Sequence, residues 1–191
     1  MKKTALFIVD VQKDFCGGGA LEVKNGDAVV PVCNKLISLA AEHGCVVFAS
    51  RDWHPADHCS FKEFGGIWPV HCVAGTDGAQ FHSELKLPVD AMIINKDTEP
   101  NECHYSALAG TQAAAIMHDA GITNLLVCGL ATDYCVKNTL LDCLKEGFEV
   151  TLVSDACRAV NVEPDDEKKA LDEMAAAGAV VLPFAKVEIQ H

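Results

Sequence analysis

The sequence has little positive charge and no long apolar run. Its 191 residues include 15 Lys and Arg against 27 Asp and Glu, which gives a formal net charge of −12. An acidic surface repels nucleic acid and anionic membranes. No stretch approaches the roughly 20 apolar residues that a membrane-spanning helix needs. These absences favour small-molecule chemistry, without a nucleic-acid or membrane partner.

The ten cysteines contain no Cys-x-x-Cys pair and are scattered along the chain. Disulfide frameworks belong to small secreted domains, and nothing here resembles an export signal. The apolar run at residues 5–9 is too short for one and ends at Asp10 without a cleavage site. We therefore interpret it as a buried first strand, and we expect reduced thiols in a cytoplasmic protein.

Short apolar runs alternate with longer helical patterns along the chain. The runs predict strands at residues 5–10, 45–50, 91–95, 125–128, 149–153 and 180–182. The patterns predict helices at residues 27–43, 111–120, 133–146 and 164–177, each ending at or near a glycine that supports a left-handed cap. Repeated strand–helix units predict an α/β fold, with three α/β/α layers and a central six-stranded, mainly parallel sheet. We expect residues 1–191 to form a single domain, because the chain is too short for two ordinary ones.

Polar and reactive side chains follow four of the predicted strands. In open parallel sheets, ligands bind outside the carboxyl ends of the strands. The side chains at these ends, in strand order, are Asp10, then Asp52 with His54, then Lys96, then Cys135. The segment at residues 51–88 has little helical periodicity, and loops of that length in compact domains are usually functional.

Cys135 is a candidate nucleophile. Thr132 and Asp133 could cap the following helix, which would place the thiol in the first helical turn. The helix dipole and the free N–H groups would then lower its pKa and bind an oxyanion. A nucleophilic thiol also needs a proton acceptor and a cation, and Asp10 and Lys96 are at the same edge. Taken singly, these residues equally fit a core thiol, a turn residue and a surface lysine.

Asp52, His54 and His71 supply one oxygen and two nitrogen donors, and His58 would add a fourth. Three protein ligands with open positions are typical of a substrate-binding metal site, whereas closed structural zinc sites favour cysteines. The donors suit zinc, manganese or iron, and ordinary turn and surface histidines are the alternative.

Three aromatic residues flank these polar positions, namely Phe15, Trp53 and Trp68. They could stack against a flat aromatic substrate, although core packing is their more common role. The remaining histidines have no evident partner in the sequence and receive no role: His43, His82, His104, His118 and His191.

Four groups of short motifs contain the residues discussed above. The opening reads IVDVQKDF at residues 8–15, followed by GGGAL at 17–21. The segments with the candidate metal ligands read SRDWHP at 50–55, DHCSF at 57–61 and WPVHCVAGT at 68–76, and the segment around Cys135 reads GLATDYCV at 129–136. Together these motifs resemble the isochorismatase-like cysteine hydrolases, and within them the nicotinamidase/pyrazinamidase branch. The resemblance covers essentially the whole chain, and the combination is far more specific than any single motif.

The resemblance implies a role for each matching position. The implied catalytic residues are Asp10 as general base and acid, Lys96 as third member and Cys135 as nucleophile. The implied metal ligands are Asp52, His54 and His71, with His58 coordinating in some members only. The implied substrate contacts are Phe15, Trp68 and Tyr105. The implied oxyanion donors are the N–H groups of Ala131 and Cys135, oriented by a cis Leu130–Ala131 peptide bond.

The implied activity is the hydrolysis of nicotinamide, and also of pyrazinamide, to the acid and ammonia through a cysteine thioester. This reaction belongs to NAD salvage. The implied cofactor is one divalent metal ion, zinc, with manganese or iron as alternatives, and we expect a homo-oligomer. Two departures from the family concern the loop over the site: Asp97 replaces a usual glycine, and Cys103-His104 replaces a common Asp-Ser.

Four other interpretations stand beside this one. Isochorismatase itself cleaves a vinyl ether and does not use this cysteine. Metal-free relatives that act on carbamoyl or ureido compounds would not need Asp52, His54 and His71 together. Another amidohydrolase of the family would act on a different small amide. A catalytically silent metal-binding or ligand-binding module would lack a reactive Cys135.

Overall fold

A six-stranded sheet forms the centre of the computed structural model, which describes residues 3–189. Its strands are β1 (Thr4–Val9), β2 (Val46–Asp52), β3 (Met92–Lys96), β4 (Asn124–Leu130), β5 (Glu149–Arg158) and β6 (Val180–Leu182). The strand order is β3-β2-β1-β4-β5-β6, and every neighbouring pair is parallel. The predicted α/β fold and all six predicted strands are confirmed.

β5 extends five residues beyond its predicted end. The pairing between β4 and β5 shifts register after Val127, and Gly129 and Leu130 then pair with Cys157 and Arg158. A register shift of this kind bends and twists a strand without ending it. The local sequence does not reveal it, because the shift depends on the neighbouring strand.

Four helices connect the strands: α1 (Val30–Glu42), α2 (Ala113–Asp119), α3 (Lys137–Lys145) and α4 (Asp166–Ala176). α1 buries one face with residues spaced three and four apart, namely Val30, Cys33, Leu36, Ile37 and Ala40. This spacing is the amphipathic pattern from which the helix was predicted. α1 and α3 are shorter than predicted, because a 3₁₀ turn at Gly26–Val29 and a π-helical turn at Thr132–Val136 replace their first residues.

The strand order reverses between β1 and β4. β2 and β3 lie on one side of β1, whereas β5 and β6 lie on the far side of β4. Right-handed crossovers therefore place α1 on one face of the sheet and α3 and α4 on the other. The connections leave β1 and β4 in opposite directions, which opens a crevice at their carboxyl ends, the usual ligand-binding position in such sheets.

The segment between β2 and β3, residues 53–91, covers this edge of the sheet. It contains one 3₁₀ turn, Lys62–Phe64, and is held by isolated bridges such as His54 with Val73 and Phe61 with Trp68. The long loop that the sequence predicts thus has a defined conformation and covers this edge of the sheet. All ten cysteines are free. Within residues 3–189, no helix has the length and apolar character needed to cross a membrane.

Candidate active site

The carboxyl ends of β1 to β4 bring the predicted reactive side chains together. Asp10 follows β1, Asp52 and Lys96 end β2 and β3, and Cys135 lies in the turn after β4. All four are buried, with relative exposures between 0% and 7%. Buried charges are costly unless they are paired, so their contacts decide what this edge of the sheet can do.

Lys96 is the common partner of the other three side chains. Its Nζ lies 3.1 Å from Asp10 Oδ2 and 3.4 Å from Cys135 Sγ, and it donates a hydrogen bond to Asp52 Oδ1. Asp10 Oδ1 accepts a 2.7 Å hydrogen bond from Ser50 Oγ, whereas the fully buried Oδ2 has no partner in hydrogen-bond geometry. Asp10 Oδ2 therefore keeps the capacity to accept a proton although it is ion-paired with Lys96, and a carboxylate oxygen of Asp10 lies within 4.8 Å of Cys135 Sγ.

Asp10 and Asp52 have opposite pKa shifts. Burial raises the pKa of Asp10 to about 6, although Lys96 counteracts it. Burial also tends to raise the pKa of Asp52, but Lys96 and then His54 outweigh it and hold that pKa below its usual range. One carboxylate thus stays ionised, while the other titrates near neutrality, as a group that exchanges protons must.

The expected lowering of the Cys135 pKa is wrong. Thr132 and Asp133 do not cap a helix: Thr132 Oγ1 is buried without a partner, and Asp133 accepts hydrogen bonds from the N–H groups of Val160 and Asn161. Cys135 lies in the π-helical turn, two residues before α3. Burial raises the pKa of its thiol, against Lys96, and Asp10 raises it further. The thiol is therefore protonated at rest and needs an adjacent base.

The backbone beside Cys135 has the expected cis peptide bond between Leu130 and Ala131. In the π-helical turn, the carbonyl of Ala131 accepts from the N–H groups of Tyr134 and Val136. The bond from Val136 spans five residues, which is the π-helical pattern. Ala131 and Cys135 both line the cavity described below.

Asp52, His54 and His71 form a second, adjoining cluster. Asp52 Oδ2 lies 3.6 Å from His54 Nε2 and 3.9 Å from His71 Nε2. The Nδ1 atoms donate to backbone carbonyls, that of His54 to Asp97 at 3.2 Å and that of His71 to Pro69 at 2.7 Å. These bonds fix the tautomer and direct both Nε2 lone pairs toward Asp52, as hydrogen bonds to the outer nitrogen of a ligating histidine do in metal sites.

The donor set fits a divalent metal ion. Ligand atoms of Asp52, His54 and His71 lie within 4.8 Å of one another, and all three residues are buried. Burial lowers the pKa of His71, which favours the neutral form that binds a metal. The mixture of one carboxylate with two imidazoles is typical of sites that keep positions open for substrate.

His58 adjoins the cluster but is occupied elsewhere. Its Nε2 donates to the carbonyl of Glu102 at 2.6 Å, and its Nδ1 lies 2.7 Å from Ser60 Oγ. Its ring stacks on His54 at a centroid distance of 4.1 Å. Both ring nitrogens are thus bonded within the chain, so His58 supports His54 through packing.

A cavity opens onto both clusters. Its lining includes the polar and reactive residues Asp52, His54, His71, Lys96 and Cys135, together with four aromatic rings, namely Phe15, Trp68, Tyr105 and Tyr134. The rings support one another: Trp68 Nε1 donates to Tyr105 Oη at 3.2 Å, and both rings contact Tyr134 at centroid distances of 5.1 and 5.2 Å. The cavity therefore suits a small flat molecule between aromatic rings and polar groups.

Trp53 does not belong to this aromatic wall. The guanidinium of Arg51 lies 3.7 Å from the centroid of its ring, and Trp53 is not among the residues that line the cavity. Tyr134 also lines the cavity, which the sequence analysis did not predict. Its position directly before Cys135 could have indicated this.

Sequence reasoning also missed residues that orient the site. Gln12 binds both backbone groups of Asp52, because its Nε2 donates to the carbonyl and its Oε1 accepts from the N–H, both at 2.8 Å. Asp14 accepts from the N–H of Cys72 at 2.7 Å and so fixes the backbone beside His71. Both lie in the polar run after β1, and their buried partners are 40 or more residues away.

The expectation that the remaining histidines have no partner is wrong for four of them. His43 Nδ1 contacts the carbonyl of Leu39, His82 contacts Asp27, and His118 contacts Glu146. His104 contacts Asp97 and lines the cavity. His191 lies outside the described residues.

The chain matches known proteins over most of its length. Residues 4–185 match the isochorismatase domain family. A nicotinamidase of Escherichia coli is 41% identical, over 98% of each chain. A pyrazinamidase of Pyrococcus horikoshii, solved in complex with zinc, is 47% identical with a TM-score of 0.91, over 95% of this chain and 99% of that one. PnC1 from L. infantum, solved with nicotinate, is 34% identical with a TM-score of 0.90, over 99% and 96%.

Proposed function

This chain belongs to the isochorismatase domain family, and we propose that it hydrolyses nicotinamide, and also pyrazinamide, to the acid and ammonia. The observation that carries the proposal is the meeting of two clusters in one aromatic-walled cavity. Asp10, Lys96 and Cys135 supply groups for amide cleavage. Asp52, His54 and His71, whose ligand atoms lie within 4.8 Å of one another, supply a site for a metal ion that would bind a ring nitrogen.

The first half-reaction begins with a proton transfer from Cys135 to Asp10. The thiolate forms a bond to the amide carbon while the carbonyl π electrons move to oxygen. The N–H groups of Ala131 and Cys135 stabilise the oxyanion that results. Lys96, at 3.4 Å from the sulfur, compensates the negative charge while it resides on the thiolate.

Asp10 then returns its proton to the amide nitrogen. The carbon–nitrogen bond breaks, ammonia leaves, and the first half-reaction ends with a thioester to Cys135. In the second half-reaction, Asp10, again ionised, takes a proton from a water molecule that attacks the thioester. The carbon–sulfur bond breaks, Asp10 returns the proton to the thiolate, and the acid is released. A pKa of about 6 suits both directions of transfer, because neither form of Asp10 is strongly disfavoured near neutral pH.

Asp52, His54 and His71 would hold one divalent metal ion, for which we propose zinc, with manganese or iron as alternatives. When bound, the ion would act as a Lewis acid that positions the ring nitrogen and polarises the ring. The chain's own contribution is orientation: two backbone carbonyls and Lys96 fix the three ligands before substrate enters.

The aromatic rings that line the cavity would pack against the substrate. We propose Phe15, Trp68 and Tyr105 as its contacts, since stacking contributes about 0.5–1.5 kcal/mol beyond burial of area. The reaction places the enzyme in NAD salvage, and the ten free cysteines are consistent with a cytoplasmic location.

The proposal is tested by ammonia release from a panel of amides. Wild-type enzyme loaded with zinc should release ammonia from nicotinamide and pyrazinamide, and acid-quenched protein should carry an acyl adduct by intact mass. Cys135→Ala should lose both signals but still bind nicotinamide. Cys45→Ala, which removes a half-buried thiol remote from the cavity, is the matched control. Substantial turnover by Cys135→Ala would exclude the covalent mechanism, and a preference for a non-aromatic amide would favour another substrate.

A further inference from the structure

Asp97 and His104 form a hydrogen-bonded pair in the cavity wall. Asp97 Oδ1 accepts from the backbone N–H of His104 at 2.8 Å and from its Nδ1 at 3.1 Å. The Asp97 side chain is 4% exposed and that of His104 is 34% exposed, so the pair extends from the interior toward the mouth of the cavity. Asp97 Oδ1 thus restrains both the backbone and the imidazole ring of His104.

The pair is also connected to the metal-type cluster. The backbone carbonyl of Asp97 accepts from Nδ1 of His54 at 3.2 Å. Asp97 has a φ of +52°, a left-handed conformation that aspartate tolerates better than most residues. Its carbonyl therefore faces His54 while its carboxylate faces His104. His104 thus lies on the His54 side of the cavity.

Other polar side chains that line the cavity have partners within the chain. Ser60 Oγ contacts His58, the Asp97 carboxylate contacts His104, and Tyr105 Oη accepts from Trp68. Within residues 3–189, Nε2 of His104 has no hydrogen-bond partner. Because Nδ1 carries the proton that Asp97 accepts, the neutral ring presents a lone pair at Nε2.

We propose that His104 is a specificity-determining residue that accepts a hydrogen bond from an N–H or O–H substituent on the ring of the amide substrate. Asp97 is its positioning residue. This inference rests on the proposed function and deepens it, because it names the preferred substrate class: pyridine carboxamides with a donor group on the ring. Tyr105 offers a hydroxyl donor nearby, so His104 adds an acceptor that the aromatic wall lacks.

A polar partner in a binding site discriminates against analogues that lack the matching group. His104 is about one third exposed, so water competes for Nε2, and we expect a moderate preference. The informative comparison is between amino and methyl substituents at ring positions 5 and 6. The two groups are close in size and both preserve the ring nitrogen, but only the amino group donates.

The experiment measures kcat/KM for 5- and 6-aminonicotinamide against the corresponding methyl compounds, with the zinc-loaded enzyme. At one or both positions, wild type should prefer amino over methyl by about tenfold. His104→Ala and Asp97→Gly should each reduce that ratio to near one. Glycine tolerates the φ of Asp97 and keeps the carbonyl that His54 uses.

Two further variants separate recognition from a structural effect. His104→Gln keeps a hydrogen-bonding group and should retain part of the preference. His118→Ala removes an exposed histidine that is paired with Glu146 and does not line the cavity, and it should leave the ratio unchanged. Calorimetric binding of the four amides to zinc-loaded Cys135→Ala, with and without His104→Ala, measures the same contrast without turnover.

An amino-to-methyl ratio that is the same in wild type and His104→Ala, at both positions, overturns the inference alone, provided nicotinamide is hydrolysed. Wild-type enzyme that releases no ammonia from nicotinamide overturns the proposed function, and this inference with it.

Discussion

Lys96 separates two carboxylates that differ in protonation behaviour although they lie in the same buried site. It contacts both, at 3.1 Å to Asp10 Oδ2 and through a hydrogen bond to Asp52 Oδ1. Lys96, and then His54, hold the pKa of Asp52 below its usual range against burial, whereas burial outweighs Lys96 at Asp10 and raises its pKa to about 6. The balance between burial and neighbouring groups at each carboxylate therefore decides which one is a fixed charge and which one exchanges protons.

The raised pKa of Asp10 predicts the acid limb of the pH profile. Asp10 must be ionised to take the thiol proton, so kcat/KM for nicotinamide should fall about tenfold per unit below a pH of about 6. The hydrogen bond from Ser50 lowers the pKa of Asp10, so its removal in Ser50→Ala should move the limb to higher pH. A limb that stays in place or moves to lower pH in this variant would assign it to another group.

Replacement of Asp10 by asparagine tests the same residue without a change of pH. Asp10→Asn keeps the shape but removes the proton exchange, so kcat should fall by about 10²–10⁴-fold or more. Nicotinate binding, measured by calorimetry, should persist because the cavity walls are unchanged. An almost unchanged rate would remove Asp10 from the mechanism.

At the scale of elements, the site depends on close contact between β1 and β4 at the point where the strand order reverses. Gly129 has a φ of +123°, and a Cβ added there would lie 2.0 Å from the backbone oxygen of Val9. Val9 precedes Asp10, and Gly129 precedes the cis peptide bond and the turn that carries Cys135. A side chain at position 129 would thus separate the general base from the nucleophile.

Gly129→Ala should therefore destabilise the protein more than an equally strained glycine replacement elsewhere. Gly147→Ala is the matched control, because its φ is +89° but a Cβ there meets no atom within 4 Å. The control should cost about 1–2 kcal/mol of unfolding free energy, and Gly129→Ala about 1–3 kcal/mol more. Urea denaturation of both variants measures the difference. Equal destabilisation would mean that the strands can separate without cost.

At the scale of the whole molecule, the two clusters come from distant parts of the chain and must act on one substrate. A ring nitrogen at one centre and an amide at the other would span them. Nicotinamide and pyrazinamide have both groups, whereas benzamide has the amide and the flat shape but no nitrogen. The separation of the two clusters therefore favours amides that carry a ring nitrogen over amides that lack one.

We expect zinc-loaded enzyme to hydrolyse benzamide at least about 10²-fold less efficiently than nicotinamide, with pyrazinamide accepted. Chelation or His71→Ala should erase most of that preference, because the ring is then no longer positioned. The measurement is kcat/KM for the three amides with and without metal, with His118→Ala as the control variant. Equal values for benzamide and nicotinamide in the loaded wild type would contradict a role for the ring nitrogen.

The expected homo-oligomer and the single domain stay predictions.

The sequence by itself determined the six strands, the parallel sheet and the edge at which Asp10, Asp52 and Lys96 meet. The spacing of apolar residues indicates which residues of a strand or helix are buried, and this spacing is visible in the local sequence. The carboxyl ends of parallel strands lie at the same edge of a sheet, whatever conformation the loops adopt. Even the bounds of β1 and β6 differ little from the prediction.

Only the tertiary structure decided the pKa of Cys135, the bonded state of both His58 nitrogens and the place of His104 in the cavity. Lys96 and Cys135 are 39 residues apart, and His58 and Glu102 are 44 apart. A pKa depends on desolvation and on the charges within a few ångströms, and a histidine's role depends on which groups occupy its two nitrogens. Both are set by long-range packing, which local sequence patterns do not encode.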